Sequence, residues 1–328
     1  MGRKLRLLVG SLKDKASMTR ATLLYPCSSL SAAAELAVLR ATAHHPPSSP
    51  PQPCHLASLL SFGRGSRLTA AALSSALSSR LLSTRDPSVA LKSLLSFHLL
   101  LRSAPFILFD QIYSSLSASA FGRRHRRSPL LLSSFPLGSD PLSWSLTSCI
   151  RWYSRLLELL ILLPPPIPFV CGAKLSDWVS SLVTRDLVAE IDSLVEFFGE
   201  ASRPPETLPS AGNRLVSEVL KLVAGDRLAA QHGILVRLRE IRERFGSAES
   251  CDSVQLVCML LRLEACHHHQ PLDWKWMAED EYHFWREVEK VREMAEMDSE
   301  RVMPAIFSTR IAVRSAEPAR FGSDHSHL

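Results

Sequence analysis

Acidic residues are scarce in the first part of this 328-residue chain. Up to Ile150 there are 5 Asp and Glu against 17 Lys and Arg, and after it 27 against 21. A front part so poor in acid predicts an anionic partner on that side, a lipid surface in preference to nucleic acid. Aromatic residues make up 7% of the chain. They do not interleave with basic residues as base-stacking surfaces do, and no nucleic-acid module is recognisable, so no nucleic acid partner is expected. No Gly-rich phosphate loop, G-x-S-x-G or H-E-x-x-H occurs, nor any nucleophile with a recognisable base. The expectation is therefore a protein that is not an enzyme and needs no cofactor. Cys-x-x-Cys is absent, and the seven cysteines (Cys27, Cys54, Cys149, Cys171, Cys251, Cys258 and Cys266) are odd in number. That predicts a reduced, cytosolic compartment with thiols as small apolar fillers. No metal site is expected, because adjacent His44 and His45 on a helix point apart and His267-His268-His269 has no partner at ligand spacing. The longest apolar run, Leu156 to Val170, is interrupted by Glu158 and by Pro164, Pro165, Pro166 and Pro168. It is too short and too broken to span a bilayer. Arg6 stands where a myristoylation signal wants Ser or Thr. The Arg- and Ser-rich start has the composition of an organellar transit peptide, but that composition continues past the length of a presequence.

What is present is helical periodicity, without a strand pattern. Leu5, Leu8, Val9 and Leu12 fall on one helix face, with Arg3, Lys4, Arg6 and Lys13 mainly on the others. Such a segment either lies in a membrane interface or docks on the core as a first helix. A helix is predicted from about Ser31 to Ala43, then a Pro/Ser loop from His44 to Pro53, then an apolar helix from His55. Ser66 is a predicted N-cap for a helix over Leu68 to Leu82, and Asp86-Pro87 starts the next. On that helix His98 is expected to be a buried, hydrogen-bonded core residue. Gly122 to Arg127 holds four arginines in a predicted exposed loop, and Asp140-Pro141 is a further predicted helix start. Arg151, Trp152 and Tyr153 are expected to pack a helix junction, with a partner for Arg151 that the sequence does not identify. Prolines 164 to 168 mark a boundary. Beyond it an amphipathic helix is predicted over Asp186 to Phe198, a break at Ala224-Gly225-Asp226, and a helix over Ser253 to Cys266. Trp274, Trp276, Phe284 and Trp285 are expected to anchor a last, charged helix. From about Arg301 the periodicity fades, and a flexible tail is expected. The predicted organisation is a basic helical part over 1–163, a Pro-rich linker over 164–176, a second helical part over 177–300 and a tail over 301–328.

Several runs, in order, resemble one family. Arg40-Ala41-Thr42 fits the first half of a phosphoinositide motif, (K/G)-A-(T/I), with arginine for lysine. Its second half, K-x-K-(H/Y), stands here as Gln52-Pro53-Cys54-His55, with the histidine kept and both lysines replaced. Lys13-Asp14-Lys15-Ala16-Ser17, Val89-Ala90-Leu91-Lys92-Ser93-Leu94 with His98, and Phe106-Ile107-Leu108-Phe109-Asp110-Gln111 match further runs. So do Leu132-Ser133-Ser134-Phe135, the segment Pro141 to Ser154, and Ser253 to Cys266. Together they resemble the plant ANTH-domain clathrin-assembly adaptors, over Met1 to about Val291. The resemblance implies an all-α fold, an ENTH-like helical superhelix to about Leu163 followed by a bundle of longer helices. It implies an endocytic adaptor that binds phosphatidylinositol 4,5-bisphosphate, promotes clathrin coat assembly and vesicle budding, and engages SNARE proteins through its helical surface. The implied location is cytosolic and peripheral membrane: clathrin-coated pits, clathrin-coated vesicles and the Golgi apparatus. Arg40, Thr42 and His55 would form the headgroup site, with Arg3, Lys4, Arg6, Lys13 and Lys15 adding electrostatic attraction to the membrane. No Asn-Pro-Phe, Asp-Pro-Phe or Asp-Leu-Leu motif follows the helices. The competing reading is a helical protein-interaction module with degraded lipid binding, working through its acidic later half.

Overall fold

A computed structural model of the chain describes residues 3–24, 30–120, 130, 132–136, 141–163, 173–208, 212–244, 250–267 and 282–298. Among these residues there is no strand, and the all-α fold class is borne out. The helices in order are α1 (Arg3–Leu24), α2 (Leu30–Ala41), α3 (Pro53–Ser61), a 3-10 turn (Phe62–Arg64), α4 (Arg67–Ser83), α5 (Pro87–Ser103), α6 (Phe106–Ala120) and α7 (Pro141–Leu162). They continue with α8 (Ala173–Ser181), α9 (Thr184–Ala201), α10 (Arg214–Glu243), α11 (Ser250–Glu264) and α12 (282–298).

The starts follow the predicted capping chemistry. Ser66 accepts the Thr69 N–H at 3.3 Å. Asp86 Oδ1 accepts the Ser88 and Val89 amides at 2.9 and 3.1 Å, with Pro87 at the first helical position where its missing N–H costs nothing. Thr42 and its neighbours leave the α2 pattern two residues earlier than the sequence suggests, because the helix stops at Ala41. α8 starts at Ala173, inside the stretch assigned to the linker.

One prediction fails outright. Ala224-Gly225-Asp226 does not break a helix: α10 runs through it from Arg214 to Glu243. A helical glycine costs only about 1 kcal/mol, and tertiary contacts at this place outweigh it. Asp226 is buried, with Oδ1 3.2 Å from Arg102 Nη1 and Oδ2 2.5 Å from His98 Nε2. A side chain on Gly225 would approach the Arg102 guanidinium to 3.4 Å. The glycine is where α5 comes close to α10.

That junction joins the two parts. His98 is fully buried, as expected, and its Nδ1 is 2.7 Å from the Tyr153 hydroxyl. The contact to Asp226 is an ion-pair approach off the line of a hydrogen bond. Burial pushes the Tyr153 hydroxyl well above its ordinary pKa, with the Asp226 charge adding to it, so the phenol stays protonated. Trp152 Nε1 donates to Glu200 O at 3.0 Å, and Arg151 finds its partner in Phe135 O at 2.8 Å. These three residues of α7 do pack a junction, against α5, α9 and the segment before α7.

One apolar cluster runs from Ala34 in α2 to Ala295 in α12, without a break between the parts. Phe284 and Trp285 meet Phe198 at 5.9 and 6.3 Å, tilted and edge-on respectively, so both do anchor the final helix. Two buried arginines hold the later part. Arg237 donates to Glu190 Oε2 through Nε and Nη2 at 2.8 and 2.6 Å. Arg227 lies over the Phe198 ring at 4.4 Å and donates to the Ser202 hydroxyl. Cys149 and Cys266 are buried fillers, whereas Cys54 and Cys258 are exposed, against the prediction for those two. The arginine run 123–127, Asp140, prolines 164 to 168, Trp274, Trp276, His268, His269 and the tail from Arg301 lie outside the described residues.

Candidate functional site: a braced loop between two helix ends

The Pro-rich loop of residues 42–52 leaves α2 and enters α3. Arg40 is exposed in the last turn of α2, where a cation also suits the helix dipole. Gln52 is the N-cap of α3 but makes no side-chain capping bond, and Pro53 takes the first position. The amides of His55 and Leu56 turn back to Gln52 O at 3.0 and 3.1 Å. His55 is half-buried in that first turn, between the exposed, uncharged Gln52 and Cys54 on one side and the apolar body of α3 on the other. The Cys54 thiol reaches Gln52 Oε1 at 3.6 Å.

The loop is held from four directions by groups that sequence reasoning did not single out. Asp14 of α1, 4% exposed, accepts the His44 backbone amide through Oδ2 and faces His44 Nδ1 through Oδ1, both at 2.7 Å. Arg80 of α4 donates to Asp14 Oδ1, to the Thr42 hydroxyl and to the Thr42 carbonyl, each at 3.1 Å. Lys92 of α5, 3% exposed, donates to the carbonyls of Ala43 and Pro46 at 2.6 and 2.8 Å. The Leu215 amide at the start of α10 donates to Ser48 O at 2.8 Å.

The electrostatics follow from this burial. Burial opposes charge on Asp14, but the hydrogen bonds from His44 and the His44 and Arg80 charges outweigh it and hold the carboxyl below its usual range. Burial pushes the Lys92 ammonium down to about 8, although Asp86 and Asp14 pull the other way. The signals for both residues were in the chain: Asp14 is an acid between two lysines in an acid-poor stretch, and Lys92 is a lone cation in an apolar run.

Thr42 is a correction. It is fully buried, its hydroxyl donates to Val38 O at 2.7 Å and accepts from Arg80. Its one donor is spent on Val38 O and the side chain is fully buried, so Thr42 shapes the loop and has no donor to offer a phosphate. Arg40 and His55 sit at the two ends of the loop. Lys13 and Lys15 are exposed on either side of Asp14, on the helix that Asp14 ties to the loop. Arg3, Lys4 and Arg6 belong to α1 by backbone, but their side chains lie outside the described residues.

α1 docks by the face opposite its apolar stripe. Gly10 and Asp14, one turn apart, point inward, and a side chain on Gly10 would meet the His44 ring at 2.9 Å. Only glycine permits that approach. Leu12 is left 66% exposed and Val9 38%. The docking reading of this segment is met by the face of Gly10 and Asp14, while Val9 and Leu12 stay exposed.

The described residues form an all-α stack whose loop between two helix ends is fastened by hydrogen bonds from four helices. The chain belongs to the ANTH-domain family. The ANTH domain matches residues 33–159. "Putative clathrin assembly protein At4g40080" of Arabidopsis thaliana is 38% identical over 268 residues, which cover 79% of this chain and 72% of that protein. "Putative clathrin assembly protein At5g10410" from the same plant is 32% identical over 247 residues, 72% of this chain and 68% of the relative. "Putative clathrin assembly protein At5g65370" is 27% identical over 306 residues, 89% and 99% of the two chains.

Proposed function

We propose that this protein is a clathrin-associated endocytic adaptor that docks on anionic membrane through the braced loop. The family is one of adaptors, not of enzymes, and the names of the three relatives support the clathrin association. The ligand is the phosphatidylinositol 4,5-bisphosphate headgroup. Arg40 takes its phosphates by charge-assisted hydrogen bonds, bidentately where the geometry allows. His55 donates from the first turn of α3. Lys13 and Lys15, with Arg3, Lys4 and Arg6 of the same helix, add electrostatic attraction, and the exposed stripe of Leu12 and Val9 enters the lipid interface. Clathrin coat assembly at coated pits and vesicles, SNARE selection on the later helices and a Golgi pool complete this reading. The division into a basic superhelical part to residue 163 and a later bundle over 177–300 belongs to it too. Among the described residues no helix is long and apolar enough to cross a membrane, which suits peripheral attachment.

The observation that carries the proposal is the bracing. Asp14, Arg80 and Lys92 are spent on holding one loop whose ends present Arg40 and His55. The test is co-sedimentation with vesicles with and without phosphatidylinositol 4,5-bisphosphate, at low and physiological salt, comparing wild type with Arg40→Glu. Binding that depends on the phosphoinositide and drops about tenfold or more in the variant is the expected result; a reversed charge at an anionic surface is worth roughly 2 kcal/mol. Binding that ignores the variant would remove the loop as the site.

A second reading rests on the exposed, uncharged Gln52 and Cys54. Without cations at those positions the chain would be a helical protein-interaction module with weak lipid binding and no direct clathrin assembly. Absence of vesicle binding at physiological salt would select it.

A further inference from the structure

The edge at the starts of α4 and α6 carries two of the most exposed apolar side chains among the described residues. Arg80, near the end of α4, touches the loop at Thr42. Arg67 begins the same helix, roughly 20 Å away at 1.5 Å per residue. Arg67 and Ser74 of α4 meet Asp110 and Ser115 of α6 in the same order, at 3.4 and 2.8 Å, so the two helices run parallel and their first turns share this edge. Gly63 closes it: a side chain there would lie 2.8 Å from Leu108 and 3.0 Å from Pro105, so the 3-10 turn is pressed against the start of α6.

On this edge Leu68 is 73% exposed and Phe106 76%. Arg64 is exposed beside them, and the Arg67 side chain is 73% exposed although it leans on Asp110, whose own side chain is 33% exposed. Aromatic and arginine side chains are the usual anchors of protein interfaces, and a bulky apolar pair framed by cations is complementary to an acidic chain with bulky apolar residues. A lipid surface seated at the loop would have to extend along the roughly 20 Å of α4 to reach this edge, which favours a separate occupant.

We propose that the edge formed by Arg64, Arg67, Leu68 and Phe106 is a docking surface for an acidic peptide segment that carries bulky apolar side chains. Phe106 and Leu68 pack against the apolar residues of the segment, and Arg64 and Arg67 meet its carboxylates. The surface is defined without reference to the lipid site; only its separation from the membrane contact rests on the proposed function.

The test uses the full chain and a labelled synthetic peptide of Asp, Glu, Leu and Phe, read by fluorescence polarisation. Two control peptides replace its apolar residues with Ser or its acids with Lys. Wild type should bind the first peptide over both controls, and more weakly as salt rises. Phe106→Ser and the pair Arg64→Glu/Arg67→Glu should each weaken binding about tenfold. These positions are on the surface, so thermal unfolding should be unchanged, and so should vesicle co-sedimentation. No preference for the acidic apolar peptide, or equal binding by the variants, overturns the proposal. Loss of vesicle binding in Phe106→Ser would instead give the edge to lipid. Sedimentation showing a wild-type dimer that Phe106→Ser dissolves would give it to a second copy of the chain. Either result also overturns the proposal. Failure of Arg40→Glu to alter vesicle binding would sink the lipid reading and leave this one standing.

Discussion

Lys92 is an ammonium removed from water and given two carbonyls in exchange, and its chemistry sets a pH window. Its folded pKa is about 8, below the ordinary 10.5. Between those values the unfolded chain holds a proton that the folded chain has released, so this group adds stability as pH rises through the window. Below about 8 both states are charged and the full cost of burying the charge is present. Urea unfolding from pH 7 to 10.5 should show this rise in wild type and not in Lys92→Met, when the two curves are subtracted. The variant should also be less stable at pH 7 or gain little, because the carbonyls of Ala43 and Pro46 each lose a donor at roughly 1 kcal/mol or more. A parallel pair of curves would mean that Lys92 titrates as it does in water. At this scale the sequence was half legible. Arg40 and His55 stood out by type and place, and so did the core role of His98. Thr42 was misjudged because a hydroxyl in a motif gives no sign of whether its bonds are already used inside the fold. Asp14, Arg80 and Lys92 were passed over because their partners lie 30 to 66 residues away in the chain, and many of them are backbone groups.

Among the elements, α1 has the clearest divided role. Its docking face includes one glycine and one acid, and Val9 and Leu12 are turned outward. Ordinary amphipathic helices bury the apolar stripe, so periodicity alone could not say which face would dock. Leu12→Glu should leave thermal stability within about 0.5 kcal/mol of wild type, as surface substitutions usually do. The same change should weaken vesicle binding by about tenfold or more, since immersing a leucine side chain is worth roughly 1.5 to 3 kcal/mol. A large fall in melting temperature would show that Leu12 packs against the body instead. Helix existence was legible for α4 and α5: Ser66, Asp86 and Pro87 mark their starts by chemistry that acts within one turn. The course of α10 was not, because Gly225 signals a break locally and is overruled by Arg102, His98 and Asp226, which come together from distant parts of the chain.

Across the molecule the apolar cluster runs unbroken from α2 to α12, and the His98–Asp226 and Trp152–Glu200 contacts cross between the parts. Heating should therefore give one cooperative transition by circular dichroism and calorimetry, with matching enthalpies. Two resolved transitions would mean that the superhelical part and the later bundle melt separately. The uneven charge was readable from composition, and Lys13, Lys15 and Arg40 are among the exposed cations of the first part. The prolines that suggested a linker did not reveal how tightly the helices on either side are packed together.

The loop of residues 42–52 holds Pro46, Pro47, Pro50 and Pro51, and four separate helices fasten its backbone. An ordinary surface loop must surrender its conformational freedom when a ligand arrives, and that entropy is subtracted from the affinity. Here the backbone's freedom is given up once, when the chain folds, so a phosphate bound as proposed would have only side chains such as Arg40 left to order.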